Sequence, residues 1–321
     1  MVTVLDDYTH PVGQESDFNE SMYFEFHDDN TGLAGFVRLA NRPNEGRGER
    51  TVCLYFPDGT VGFGFLRPAV AGNTEMNAGG LSVEVARPMQ DVTVRFDGQV
   101  NVLSDPRALS DPKSALAASP VVATRIQLRY VAMAPFHEQT FESGAQSFAP
   151  NHYEQLAVVT GSVALADRVQ TVRGHGLRDH SWGPRSWQAP YFYRWLHGCS
   201  GDFGFMAAYF GDQDGSSRRG GFVFAGGRMH PCDDISITTE RDADGFQRRI
   251  GVSLTAGSRQ WRLQGEATCS VPLRHRGADG VASTRIVEAA IRWNLDGRSG
   301  FGGMAEYLDQ MRDGQPVGAH V

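Results

Sequence analysis

Val52-Cys53-Leu54-Tyr55-Phe56-Pro57-Asp58-Gly59-Thr60-Val61-Gly62-Phe63-Gly64-Phe65 decides the fold class. Two runs rich in β-branched and aromatic residues flank a Pro-Asp-Gly turn. Past the turn, Val61, Phe63 and Phe65 alternate with glycines. A side-chain period of two around an Asp-Gly turn predicts a β-hairpin. The pattern extends both ways. Upstream, Met22, Phe24 and Phe26 interleave with Tyr23, Glu25 and His27, and residues 36–39 follow. Downstream, residues 81–85 read as a strand, and 92–96 and 100–103 flank Asp97-Gly98 as a second hairpin. Residues 124–133, 153–160, 162–165, 169–174, 191–197 and 203–210 continue the series, the last two joined at Gly201-Asp202. Residues 221–225, 235–240, 248–254, 260–269 and 285–293 complete it. Prolines 106, 112 and 120 interrupt it around a short helix over 113–118. A second helix is expected over 303–311, where Met304, Leu308 and Met311 recur at helical spacing.

Short strands, Gly-rich turns and almost no helix mean an all-β chain of sandwiches or barrels. The 38 glycines suit turns, bulges and barrel corners. A chain of 321 residues exceeds the usual single-domain size, so two packed β-domains are expected, 1–150 and 151–321. Residues 1–20 read as an irregular lead-in. Hydrophobic content of 40% with 21% charged residues indicates a soluble globular protein with ample core. A net charge of −7 disfavours nucleic acid as a partner. No run approaches the ~18 apolar residues of a membrane span. Residues 1–10 carry Asp6 and Asp7 and lack a signal pattern, so the expected location is the cytoplasm. Cys53, Cys199, Cys232 and Cys269 are scattered, which favours thiols over a Cys199–Cys232 bridge.

The densest polar chemistry lies in Gly174-His175-Gly176-Leu177-Arg178-Asp179-His180-Ser181-Trp182-Gly183-Pro184-Arg185-Ser186-Trp187. Its glycines and proline suggest a tight loop rather than a regular strand. If the segment is extended instead, His180, Arg178 and Trp182 share one face, and Asp179 and His175 the other. No nucleophile elbow, phosphate loop or dinucleotide fingerprint occurs, so no cofactor is expected. His175 and His180 match no zinc-helix spacing, so no metal is assigned. General acid–base work fits better. His180 titrates near neutrality, and a carboxylic acid held among tryptophans has its neutral form favoured. Asp179 is therefore a candidate acid, or else a partner of Arg178 or Arg185 in a structural clasp. Trp182, Trp187 and Trp195 offer π faces to positive charge. In a meander, the strands holding Tyr193, Tyr209 and Asp212 would neighbour the motif, making Tyr209 and Asp212 candidates for a proton relay. Elsewhere, Arg42 and Glu45 are placed to pair, and His152 and Glu154 share a strand face. Asn19-Glu20-Ser21, before the first strand, could rim a ligand site between the domains; a structural role is favoured.

The pattern G-x-G-x-R-D-H-S-W-G-x-R-x-W at residues 174–187 resembles the signature of the carotenoid 1,2-hydratase (hydroxyneurosporene synthase) and AttH-like superfamily. Its Asp-His-x-Trp-Gly core is matched by Asp179, His180, Ser181, Trp182 and Gly183. The resemblance implies two packed lipocalin-like β-domains over nearly the whole chain, with an apolar pocket and the motif in the second. Fungal lipocalin-like cyclases are similar in architecture. In the hydratases an aspartic acid protonates an isoprenoid double bond beside a histidine and a tryptophan. Carried over, His180 and Trp182 match His-x-Trp, and Asp212 is the nearest acid on a following strand.

The expected function is cofactor-independent acid–base catalysis on an apolar, isoprenoid-like or polycyclic small molecule: hydration, dehydration, isomerisation or cyclisation. His180, Asp179, Asp212 and Tyr209 are the catalytic candidates. Trp182, Trp187, Trp195, Tyr193, Arg178 and Arg185 are the substrate-binding ones. The alternative is a non-catalytic binder or carrier of a hydrophobic molecule, which needs no titratable pair in its pocket. A pericyclic cyclase, which needs shape rather than an acid, is the third reading.

Overall fold

The computed structural model describes residues 1–143, 146–276, 283–296 and 300–321. Nearly all of it is antiparallel β-structure in two large sheets. The first sheet holds β1 (Phe18–Asp28), β2 (Leu33–Arg42), β3 (Arg47–Tyr55), β4 (Val61–Leu66), β5 (Leu81–Arg87), β6 (Asp91–Leu103), β7 (Val121–Ala132), β8 (Asn151–Leu165) and β9 (Arg168–Pro184). The second holds β10 (Phe192–Ser200), β11 (Phe203–Gly211), β12 (Ser217–Ala225), β13 (Arg228–Pro231), β14 (Asp234–Arg241), β15 (Gln247–Ala256), β16 (Arg259–Arg276), β17 (Ser283–Leu295) and β18 (Phe301–Arg312).

In the first sheet the order runs β4-β3-β2-β1-β9-β8-β7-β6-β5, and residues 61–63 of β4 also pair with 101–103 of β6. That extra pairing curls the sheet until its order returns on itself. One face closes over an apolar core that includes Met22, Phe24, Phe26, Leu39, Val52, Leu54, Val94, Phe96, Leu128 and Val159. The second sheet runs β13-β12-β11-β10-β18-β17-β16-β15-β14 around its own core, with Trp293, Phe205 and Tyr307.

The hairpin of residues 52–65 forms as expected, with Gly59 in the left-handed region at φ +84°. Four expectations fail for physical reasons. First, residues 303–311 are not a helix but lie in β18, which is buried along both faces. A strand buried on both sides has no polar stripe, so its apolar spacing imitates a helix. The α-helix among the described residues is Pro112–Ala118. Second, Asp97-Gly98 is no turn. β6 runs straight through it, with Asp97 and Gly98 opposite Arg125 and Thr124. Third, residues 174–184 belong to a regular strand. Gly174 and Gly176 are there because a Cβ would collide with the carbonyl oxygens of His27 and Glu25 on β1. Fourth, the chain does not divide at residue 150. The first compact unit comprises Met1–Asp105, Ser114–Glu142 and Ser147–Ser186, and the second Pro106–Lys113, Ser143–Gln146 and Trp187–Val321. The motif strand pairs with β1, so it lies in the first unit. The cysteines form no disulfide. No described helix is long and apolar enough to cross a membrane.

Candidate active site

Strand register places the site. On β1 and β9, Glu20 lies opposite Trp182, Met22 opposite His180 and Phe24 opposite Arg178. On β8, Tyr153 lies opposite His180 and Gln155 opposite Arg178. Residues directly opposite one another project to the same face. Met22 and Phe24 belong to the core, so Glu20, Arg178, His180, Trp182, Tyr153 and Gln155 are all on the inner face.

The N-terminal segment lies against them. A 3₁₀ turn at Val4–Asp7 is capped reciprocally by Thr3 and Asp6. It presents Asp7, fully buried, to Arg178 Nη1 at 2.5 Å, the Tyr153 hydroxyl at 2.7 Å and the Met89 amide at 2.5 Å. Burial pushes the Asp7 carboxyl up, but the Arg178 charge and hydrogen bonds outweigh it and hold the carboxyl below its ordinary range. Arg178 also donates through Nε and Nη2 to Gln155 Oε1, at 3.0 and 2.6 Å. All five of its N–H donors are engaged, so Arg178 is a clamp.

Three residues on, His10 meets Glu20. Oε1 of the buried Glu20 accepts from His10 Nδ1 at 2.8 Å and from His180 Nε2 at 2.5 Å. Oε2 accepts from Asn73 Nδ2 at 2.9 Å and the His10 amide at 3.1 Å. Burial raises the Glu20 pKa, yet the two imidazoles outweigh it and bring it down to about 2. His10 is pushed down by burial but raised overall by Glu20 and Asp6, whose Oδ1 lies 3.1 Å from its Nε2. With a carboxylate at each nitrogen, His10 is held as an imidazolium. It stacks on Trp182 with centroids 3.9 Å apart and planes 9° apart, a cation–π pair. His180 differs. Its Nε2 faces Glu20, while its Nδ1 is buried and has no hydrogen-bond partner among the described residues. Nε2–H donates to the ionised Glu20 carboxylate, and Nδ1 is the ring nitrogen left to face a ligand.

A profile for a domain of unknown function, DUF7064, matches residues 3–311. The chain belongs to the DUF7064 family. No curated protein matches it. Among solved structures, this DUF7064 chain is similar to an AttH-like protein of Nitrosomonas europaea, at 14% identity over 94% of this chain and 95% of that one, with a TM-score of 0.63. It is similar to CghA at 14% identity over 94% and 90%, with a TM-score of 0.58. It is also similar to kievitone hydratase from Nectria haematococca, at 11% identity over 93% of each chain and a TM-score of 0.53. At these identities the shared property is the fold, which meets the expected AttH-like resemblance at that level.

In the DUF7064 chain the motif splits by parity as expected. His180, Trp182 and Arg178 face inward, and Asp179 and His175 face the other way. Asp179 pairs with neither arginine. It accepts from His152 Nε2 at 3.2 Å, and Glu154 Oε1 lies 3.5 Å from the same nitrogen. Arg185 contacts the Ser181 hydroxyl at 3.4 Å and lies over the Phe148 ring at 4.4 Å. Arg42 and Glu45 pair as read, at 2.6 Å from Nε. His175 neighbours His27, with centroids 6.3 Å apart, so the His175–His180 pair does not converge.

The remaining candidates belong to the second unit. Tyr193 packs on Phe210 at 5.1 Å, Trp195 on His197 at 4.7 Å and Trp187 on His275 at 4.5 Å. Tyr209 lies under Arg219 and against Phe192. Asp212 is a turn residue, bonded to Ser216 and paired with Arg218. None of these five shares the sheet that carries His180. Their proximity was inferred from chain order, but β9 is flanked by β1 and β8.

Sequence reasoning assigned no site role to Asp7, His10, Asn73 and Tyr153, and favoured a structural role for Glu20. One signal was available: Glu20 occupies the apolar parity of Phe18, Met22, Phe24 and Phe26, where a carboxylate needs a reason. His10, Glu20 and His180 also present ligand atoms all within 4.8 Å of one another. Two imidazoles and a carboxylate are a donor set that suits a divalent transition metal.

Proposed function

We propose that this protein is an acid–base enzyme acting on an apolar small molecule, with His180 as the group that moves the proton. One observation carries this: His180 Nδ1 is buried and unpartnered while Nε2 is fixed by an ionised carboxylate. Most buried side-chain nitrogens in a folded protein have a hydrogen-bond partner. Here Glu20 orients the ring, selects its tautomer and stabilises the imidazolium formed when Nδ1 takes a proton from a bound molecule. His180 then returns the proton at another atom. Delivery to a second carbon is isomerisation; delivery to a departing hydroxyl is dehydration, and its reverse hydration. Such a positioned base contributes roughly 10²–10⁴-fold to rate. Trp182 and the His10 imidazolium stacked on it supply a flat wall and a fixed positive charge beside the reacting centre. The apolar inner face on which His180 sits supports an apolar substrate. We take that substrate to be isoprenoid-like or polycyclic and the proton path to use the chain's own groups. A kievitone hydratase of the same fold is consistent with this reading.

The test is incubation in D₂O of a small molecule that co-purifies with the protein and is identified by mass spectrometry. Deuterium should enter the molecule with the native protein, with or without a chelator, and should not enter with His180→Ala. No incorporation with the native protein refutes proton chemistry. Loss on chelation with recovery on adding metal assigns the three-residue cluster to a metal instead.

A further inference from the structure

Four arginines among the described residues are buried: Arg42, Arg50, Arg178 and Arg194. Three are answered by a carboxylate, Arg42 by Glu45, Arg178 by Asp7 and Arg194 by Asp309. Arg50 has none. It is 6% exposed, and neither Nε nor Nη1 has a hydrogen-bond partner among the described residues. Burial, with no charge acting against it, lowers its pKa. A guanidinium cannot escape by losing its proton, so an unpaired one in a core is costly unless something else answers it. Each such group in a folded protein needs an explanation, and binding an anion is one.

Its placement says what kind of anion. Arg50 has the parity of Val52 and Leu54 on β3, both in the core, and its guanidinium lies 5.1 Å over the Phe96 ring. Glycines make room for it: a Cβ at Gly64 would stand 2.8 Å from Nη1, and one at Gly79 3.6 Å from Nε. Arg50 is directly opposite Leu39, Leu39 opposite Met22, and Met22 opposite His180. The four form one row across the inner face, cationic at one end, basic at the other and apolar between. At about 4.8 Å per strand, the row measures about 14 Å along the sheet.

We infer that Arg50 anchors the carboxylate of the substrate, which is an apolar carboxylic acid lying across Leu39 and Met22 with its reacting carbon at His180. This rests on the proposed function and narrows its substrate class. A guanidinium presents two parallel N–H donors to a carboxylate, which a neutral head group cannot use equally.

The experiment is titration calorimetry of the full chain with dodecanoate, dodecanol and acetate. Dodecanoate should bind at least about tenfold more tightly than dodecanol, as expected of hydrogen bonds to a buried charge. Arg50→Met should erase that preference, and Arg50→Lys should keep part of it. Arg50→Met replaces an unpaired charge with an apolar chain of similar length, so its melting temperature should not fall. Equal affinity for acid and alcohol overturns the inference, as does a preference that survives Arg50→Met or binding of neither dodecyl probe. Acetate binding as tightly as dodecanoate also overturns it, since the site would then serve a small anion. His180→Ala should retain the acid preference. That preference without deuterium exchange would uphold the anchor and sink the proton chemistry; exchange without the preference would do the reverse.

Discussion

Glu20→Gln is the perturbation that most directly probes the cluster, and its cost follows from geometry. The carboxylate accepts four hydrogen bonds, two on each oxygen, from His10 Nδ1, His180 Nε2, Asn73 Nδ2 and the His10 amide. An amide offers one oxygen and one NH₂. Whichever way it turns, its NH₂ faces two donors, and His10 keeps only Asp6 of its two carboxylate partners. Removing one partner of a buried pair costs about 3–5 kcal/mol. The depressed carboxyl points the same way. A carboxyl lowered from 4.5 to about 2 is favoured in its charged form by about 3 kcal/mol, at about 1.4 kcal/mol per tenfold. Glu20→Gln should therefore destabilise the first unit by about 3–5 kcal/mol at pH 7. For a unit of this size that lowers its melting temperature by roughly 10 °C. A depressed carboxyl stabilises fully above its unfolded pKa and loses that contribution as pH falls toward about 2. Through Glu20 itself, the gap between native protein and variant should therefore narrow as pH falls below about 5. Urea unfolding followed by tryptophan fluorescence at stepped pH measures it. A loss under about 1 kcal/mol at pH 7 would refute the account of Glu20 as a desolvated bridge between two imidazoles.

Two further outcomes follow from the same residues. Asp7→Asn removes the charge that answers Arg178, and should cost about 3–5 kcal/mol and free the N-terminal segment. Limited proteolysis should then cut within the first seventeen residues, where the native protein resists; equal resistance would show that Asp7 does not hold the segment. His10 has a folded pKa raised by Glu20 and Asp6, so its contribution is complete below the unfolded histidine value and lost as pH rises through the raised one. The stability gap between native protein and His10→Gln should be wider at pH 6 than at pH 9, read from urea midpoints; a gap that widens with pH would contradict an imidazolium at this position.

How much of this was legible depends on the range of each interaction. Period-two alternation is local, so the strands were readable, and parity correctly divided His180 and Trp182 from His175 and Asp179. The cluster itself is not local. Glu20 and His180 are 160 residues apart, and Asp7 and Arg178 are 171 apart. No spacing rule encodes such a meeting. It depends on β9 returning to pair with β1, and chain order argued instead for the strands of Tyr209 and Asp212. The domain boundary failed for the same reason, because residues 151–184 look like the start of something new until their partners are known.

What the sequence could have supplied is a question about misfits. Glu20 stands among Phe18, Met22, Phe24 and Phe26 at one parity of β1, and Arg50 stands beside Val52 and Leu54 at one parity of β3. A charged residue at an inward position is costly, and is retained only where something answers it. For Glu20 the answer is in the chain, as His10 and His180. For Arg50 the chain contains no answer among its described residues, although the fold brings carboxylates to the other three buried arginines. Register then turns two isolated misfits into one object, since Met22 and Leu39 link the row from His180 to Arg50. The inner face is thus apolar in the middle and charged at two separated points. A core stabilised by packing alone would have no use for either charge, and a ligand with an anionic head and a reacting tail would use both.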